Sequence, residues 1–208
     1  MSTPAAQNPP ALDGLLTREL EVRTDSFDEA TRSVEAVITT EAPVPTLDRA
    51  RRELVDEVLV ADGFQFREHL PLLNNHRRGD VLDVLGHVAD VRQEGDAWVG
   101  RVYVATGGED SPQEHLFRNL RDGHHRGFSI GYVPQEMTRV APGQTVRVGE
   151  RTFTAGDRPM RVAARTQAFE VSAAPVGADE RALARALADG ETNPDDRTTP
   201  TPPWRGFR

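Results

Sequence analysis

Two runs near the middle of the chain alternate apolar and polar residues and are separated by a turn. Val84–Val91 leads through Gln93-Glu94-Gly95-Asp96 into Ala97–Val104. Alternation with a period of two sorts side chains onto the two faces of a strand. A glycine in the connection permits a tight reversal, so the segment reads as a β-hairpin. The same signal recurs. Leu20-Glu21-Val22-Arg23 and Ser33-Val34-Glu35-Ala36-Val37-Ile38 read as an antiparallel pair across the polar linker Thr24–Thr31. Thr138–Thr154 reads as a polar hairpin leaving the core, and Val162–Val171 as a returning strand. A chain punctuated this way is committed to short paired strands.

Helical signals are few. Ser111-Pro112-Gln113-Glu114 supplies an N-cap, a proline at the first helical position and the glutamate of a capping box. The helix it starts is expected to bury Leu116, Phe117 and Leu120 and to stop at Gly123. Asp179–Leu187 is rich in Ala and Leu, with Asp179 as N-cap and Gly190 as its stop. Asp48–Val60 is ambiguous. Leu47, Leu54, Val55 and Val58 suit a helix, whereas Val58-Leu59-Val60 suits a strand, and a short helix running into a strand or turn is expected. The predicted class is α+β but mainly β: a small closed or half-closed β-barrel flanked by a few helices. One domain over 15–189 accounts for the 208 residues. Residues 1–14 and the Pro/Thr-rich tail 190–208 are expected to be disordered.

Composition excludes several chemistries. The chain has no cysteine, which removes thiol catalysis, thiolate zinc sites and disulfides, and no lysine, which removes a Ser–Lys dyad. A formal net charge of −8 argues against a general nucleic-acid binder. No stretch approaches the roughly 20 apolar residues of a membrane span, and the first ten residues lack the basic and apolar regions of a signal peptide. A soluble, non-secreted protein without cofactor or metal is expected.

The chemistry that remains centres on Gly127-Phe128-Ser129-Ile130-Gly131, a hydroxyl with a glycine two positions to each side. Upstream, Leu72-Leu73-Asn74-Asn75-His76 ends an apolar run in an imidazole, and downstream Phe169-Glu170-Val171-Ser172 carries one carboxylate. A serine, a base and an acid on three separate elements are what nucleophilic catalysis needs. The G-x-S-x-G spacing matches the nucleophile elbow of α/β-hydrolases, but there the histidine follows the serine. Here all six histidines precede Ser129. Other readings stay open. Glu170 is either an orienting acid or a strand carboxylate paired with an arginine. Ser172 is most simply a strand residue, His87 a sheet residue, and Arg77-Arg78 a solvated turn. His115, His124 and His125 span a helix end and a turn, a poor spacing for metal.

In these three blocks, and in their order and spacing, the chain resembles the prohead (capsid maturation) serine proteases of tailed phages, relatives of the herpesvirus assemblin proteases. The resemblance extends over roughly 18–187 and includes Pro175 after the third block. It implies a serine endopeptidase that cuts capsid and scaffold segments, and itself, inside the procapsid in the host cytoplasm. Ser129 would be the nucleophile, His76 the general base and Glu170 the third member, where the herpesvirus relatives use a second histidine. Gly127, Ile130, Gly131 and Ala178 are the expected oxyanion or substrate contacts. Where those relatives place an arginine pair after a Val-Gly step, this chain has Val176-Gly177-Ala178-Asp179. Self-association is implied by the same resemblance. A catalytically silent assembly or scaffolding protein with the same fold is the competing reading, and an unrelated esterase or amidase with the same triad is a third.

Overall fold

The computed structural model describes residues 16–48 and 50–174. Twelve strands and one α-helix follow in chain order: β1 (Leu16–Asp28), β2 (Ser33–Thr40), β3 (Val44–Asp48), β4 (Glu53–Leu59), β5 (Phe64–Gln65), β6 (Leu70–Asn74), β7 (Val84–Glu94), β8 (Ala97–Val104), α1 (Pro112–Arg121), β9 (Gly127–Val140), β10 (Thr145–Val148), β11 (Arg151–Thr154) and β12 (Met160–Ala173). Ten strands form one mixed sheet in the order β3-β4-β12-β6-β7-β8-β2-β1-β9, with β5 on β12, while β10 and β11 pair only with each other. The pairing path from β12 through β6, β7, β8, β2, β1 and β9 returns to β12, because β9 and β12 are also antiparallel partners. β3 and β4 extend beyond that circuit, so the sheet as a whole is a rolled mixed sheet with open edges and not a self-contained barrel.

Strand β12 is the shared member. It runs parallel to β4 (Val162↔Val58), to β5 (Thr166↔Phe64) and to β6 (Val171↔Leu72), and antiparallel to β9 along its other edge. Alternation places Phe128, Ile130 and Tyr132 of β9, Val171 and Ala173 of β12 and Leu70 and Leu72 of β6 in one core with Val34, Ile38, Val88 and Val102. Fully burying a side chain of this size stabilises by about 1.5–3 kcal/mol, which fixes the face each strand presents. A smaller cluster of Val58, Val60, Val140, Met160 and Val162 packs under the β10–β11 hairpin. Between the two, the buried Glu57 carboxylate accepts from the Tyr132 hydroxyl and from Arg161 at 2.9 Å, which offsets the cost of burying its charge.

The β7–β8 hairpin forms as expected and turns at Gly95, whose φ is +64°. The β1–β2 pair also forms, but β1 runs on to Asp28, and the Asp28 carboxylate caps the turn by accepting from the Ala30 and Thr31 amides. Ser111 Oγ accepts from the Glu114 amide, α1 buries Leu116, Phe117 and Leu120, and Gly123 ends it with φ +74°. Glu114 does not close a capping box, because its carboxylate binds Arg32 at 2.9 Å.

Asp48–Val60 is not helical. It is the antiparallel pair β3–β4, reversed by a turn in which Asp48 Oδ1 accepts from Arg51 N and Arg52 takes φ +54°. Val55 and Val58 are core residues on a strand, and tertiary burial outweighs the weak helical spacing. The polar hairpin is shorter than expected, since β9 continues to Val140 before β10 and β11 form it. The helix expected over 179–187 and both terminal segments expected to be disordered lie outside the described residues. The fold is mainly β, with α1 as the one α-helix among the described residues.

Candidate active site

The three blocks converge where β9, β12 and β6 lie side by side. In the β9–β12 ladder Ser129 faces Ser172 and Gly131 faces Glu170, while in the β12–β6 ladder Ser172 faces Leu73 and Ala173 faces Asn74. Residues opposite one another in an antiparallel pair share a face. Ser129, Gly131, Glu170 and Ser172 therefore lie together on the side of the sheet away from the core.

Glu170 reaches that side because of a β-bulge. Ala168 pairs with Tyr132 and Glu170 with Gly131, so Phe169 is an extra residue opposite none. In uninterrupted register Phe169 would face Gly131, and Glu170 would face Ile130 and enter the core. Phe169 is buried beneath the Arg67 guanidinium, which stands 4.2 Å from the ring centroid.

His76 arrives through a tight turn. The Arg77 amide donates to the Asn74 carbonyl at 3.0 Å, and the two central residues, Asn75 and His76, have φ of +48° and +60°. Positive φ at both centres is the pattern of a type I′ turn, for which asparagine is suited and histidine is not. Holding a non-glycine residue there costs on the order of 1 kcal/mol, and such strain persists only where surrounding contacts hold it. Here the contacts are visible. The Asn75 amide donates to the Ala173 carbonyl at 3.1 Å, and the His76 amide to Ser172 Oγ at 3.0 Å.

The imidazole then meets the carboxylate. His76 Nδ1 lies 2.6 Å from Glu170 Oε1, and the Ser172 hydroxyl donates to Glu170 Oε2, also at 2.6 Å. Arg78 contributes a guanidinium nitrogen 3.8 Å from Oε1. Glu170 is 2% exposed, so an unpaired charge there would be costly, and both of its oxygens are satisfied. With Nδ1–H donated to Glu170, Nε2 of the neutral ring is the atom left to accept a proton. The His76 side chain keeps 19% exposure.

Gly131 makes room for this arrangement. A Cβ built on it would stand 2.1 Å from Glu170 Oε1 and 2.7 Å from its Cδ. Neither Gly127 nor Gly131 has a positive φ, so Gly131 acts through missing bulk and not through backbone freedom. Ile130 and Gly131 are flanked by strands on both sides, Arg18 and Thr17 of β1 and Val171 and Glu170 of β12. Ser129 itself is 3% exposed. The structure thus joins His76 to Glu170 by a direct hydrogen bond and sets Ser129 two residues from Gly131 on the same face. No hydrogen bond links Ser129 to His76 among the described residues, and Ala178 is outside them.

Two residues escaped sequence reasoning. Ser172 reads as an ordinary strand position, although its spacing of two from Glu170 puts both on one face. Arg78 reads as a solvated turn, and its contact with Glu170 depends on the preceding reversal. His125, by contrast, belongs elsewhere: its ring packs against Phe128 with centroids 5.4 Å apart, and its Nε2 is buried without a hydrogen-bond partner. Burial pushes its proton affinity down, partly offset by a hydrogen bond with the Gly127 backbone. No cluster of three or more metal-ligating side chains occurs among the described residues, and none of their helices is long and apolar enough to cross a membrane.

Fold and site together define a mainly-β chain that carries a histidine–carboxylate pair beside a serine. No family model matches it, and no curated protein does. Among solved structures it is similar to the bacteriophage T4 capsid assembly protease gp21, at 13% identity and a TM-score of 0.37, over 78% of this chain and 98% of that one. A likeness so distant assigns neither residues nor substrate.

Proposed function

We propose that the chain is a serine endopeptidase in which Ser129 is the nucleophile, His76 its general base and then acid, and Glu170 the acid that orients His76. The observation that carries this is the 2.6 Å contact of His76 Nδ1 with a buried carboxylate, on the sheet face that also holds Ser129. Glu170 fixes the tautomer with Nε2 free and stabilises the imidazolium formed when Nε2 takes the Ser129 proton. The Ser129 oxygen then adds to a carbonyl carbon, and His76 returns the proton to the leaving amine. Water attacks the acyl-enzyme with the same base. Gly127, which lies beyond the end of the β12 ladder but still pairs with Glu21 of β1, is the β9 residue we assign as backbone donor to the developing oxyanion.

The substrate class follows from the sequence resemblance to prohead proteases: capsid and scaffold polypeptides inside an assembling procapsid, and the chain's own segments, with a self-associated enzyme. Co-expression with the neighbouring capsid protein tests it, with wild type beside Ser129→Ala and fragments read by intact mass. Shortened capsid protein or self-cleavage that depends on Ser129 is the expected result. One observation favours a second reading, a silent assembly protein of the same fold: Ser129 is 3% exposed and has no hydrogen bond to His76. Identical uncut masses with normal capsid assembly would count against catalysis and favour that reading instead.

A further inference from the structure

We propose that Ser172 is a positioning residue for the His76–Glu170 pair, acting by closing a hydrogen-bonded circuit without touching substrate. The inference rests on the catalytic reading above and adds a residue to it. Three bonds make the circuit: the His76 amide to Ser172 Oγ at 3.0 Å, the Ser172 hydroxyl to Glu170 Oε2 at 2.6 Å, and the His76 ring to Glu170 Oε1 at 2.6 Å. A hydroxyl has one proton to give and lone pairs to accept with, and Ser172 uses both capacities within this site. Its side chain ties the backbone of the histidine turn to the carboxylate that the histidine ring meets.

Each tie addresses a degree of freedom that the rest of the fold leaves loose. The terminal torsion of a glutamate is broad, so burial alone does not decide which oxygen faces Nδ1. Donation to Oε2 holds that oxygen and turns Oε1 toward His76. The φ of +60° at His76 is unfavourable for a residue with a Cβ, and its amide finds its acceptor on the Ser172 hydroxyl. Ser172 is fully buried and its hydroxyl is engaged with His76 and Glu170, so it is assigned no contact with substrate. Its place is set by the ladder, opposite Ser129 on β9 and Leu73 on β6. Placement within a few tenths of an ångström matters here, since a misplacement of about 1 Å can cost on the order of 100-fold in rate.

The test uses two readouts on the full chain. One is the far-downfield proton of an imidazole N–H bonded to a carboxylate, observed by NMR with labelled histidine. The other is the rate of covalent labelling by a fluorophosphonate probe, with the modified residue located by mass spectrometry. Wild type and Ser129→Ala should show the downfield proton, and Glu170→Gln should lack it. In Ser172→Ala the proton is expected to be lost to exchange with water, and labelling of Ser129 to slow about 10- to 100-fold with unchanged probe affinity. Ser172→Thr, which keeps the hydroxyl, should restore both. Should Ser172→Ala not fold, Ser172→Cys, similar in size and a weak donor, is read in its place. An unchanged proton and a labelling rate within about twofold of wild type would overturn the proposal, as would an adduct on Ser172 itself. If wild type takes no label, the serine-hydrolase reading fails. The proton then decides the circuit alone, and its persistence in Ser172→Ala overturns it.

Discussion

The Glu170 carboxylate lies against the backbone of Gly131, so closely that a single methyl group on Gly131 would stand 2.1 Å from Oε1. The glycine that follows Ser129 by two residues is thus the floor on which the orienting carboxylate rests. It links the second and third sequence blocks sterically, just as His76 links the first and third by a hydrogen bond.

Gly131→Ala should therefore damage the site more than the fold. The carboxylate is 2% exposed and held by His76 and Ser172, so moving it off a new methyl group displaces it from those partners. Relieving the overlap is expected to weaken or break one of those bonds. A loss of about 1–3 kcal/mol in stability is expected, as for a disrupted buried hydrogen bond. Labelling of Ser129 should fall by on the order of 100-fold. Thermal unfolding and labelling rates on the same preparation check both.

Deleting Phe169 removes the bulge and should restore an uninterrupted β9–β12 ladder beyond Ala168. Glu170 would then follow Ala168 directly and stay opposite Gly131, on the face it now occupies, so the His76 contact is expected to persist without the bulge. Phe169→Ala keeps the register and should leave the pair in place. It loses the packing of a buried ring and the Arg67 contact, at a cost of about 3–5 kcal/mol. The downfield imidazole proton should survive both the deletion and the substitution wherever each chain is folded, and its loss in the deletion alone would mean that the ladder re-registers.

His125 gives the stability a defined pH dependence. Burial holds its folded-state proton affinity below the ordinary value of 6.5, so the unfolded chain takes up a proton that the folded one resists. Its neutral form favours the fold above about pH 6.5, and that contribution is lost as pH falls toward the lower folded value. His125→Phe should flatten the slope of melting temperature against pH between about 7.5 and 5.5. An unchanged slope would mean that the buried ring does not titrate with folding.

Much of the site was legible because each block carries a local signal. Val162–Val171 reads as a strand, the serine block stands out by its two glycines, and the histidine block by an apolar run that ends in amides and an imidazole. What joins the blocks was not legible. The bulge at Phe169 has no signature in Ala168-Phe169-Glu170, yet it decides which face Glu170 occupies. The role of Gly131 depends on a carboxylate 39 residues away in sequence, which no local window contains. Asp48–Val60 misled for a related reason. A weak 3-to-4 spacing of apolar residues competes poorly with burial against β12, which no short window contains.

Covalent labelling of the purified wild-type chain by a fluorophosphonate, with the adduct mapped by mass spectrometry beside Ser129→Ala and His76→Ala, tests the central claim most directly. One adduct on Ser129, absent from Ser129→Ala and slowed by at least about 1,000-fold in His76→Ala, is expected. An unlabelled wild type that is folded and intact, or labelling that is unaffected by either substitution, would contradict the assignment of Ser129 and His76 as nucleophile and base.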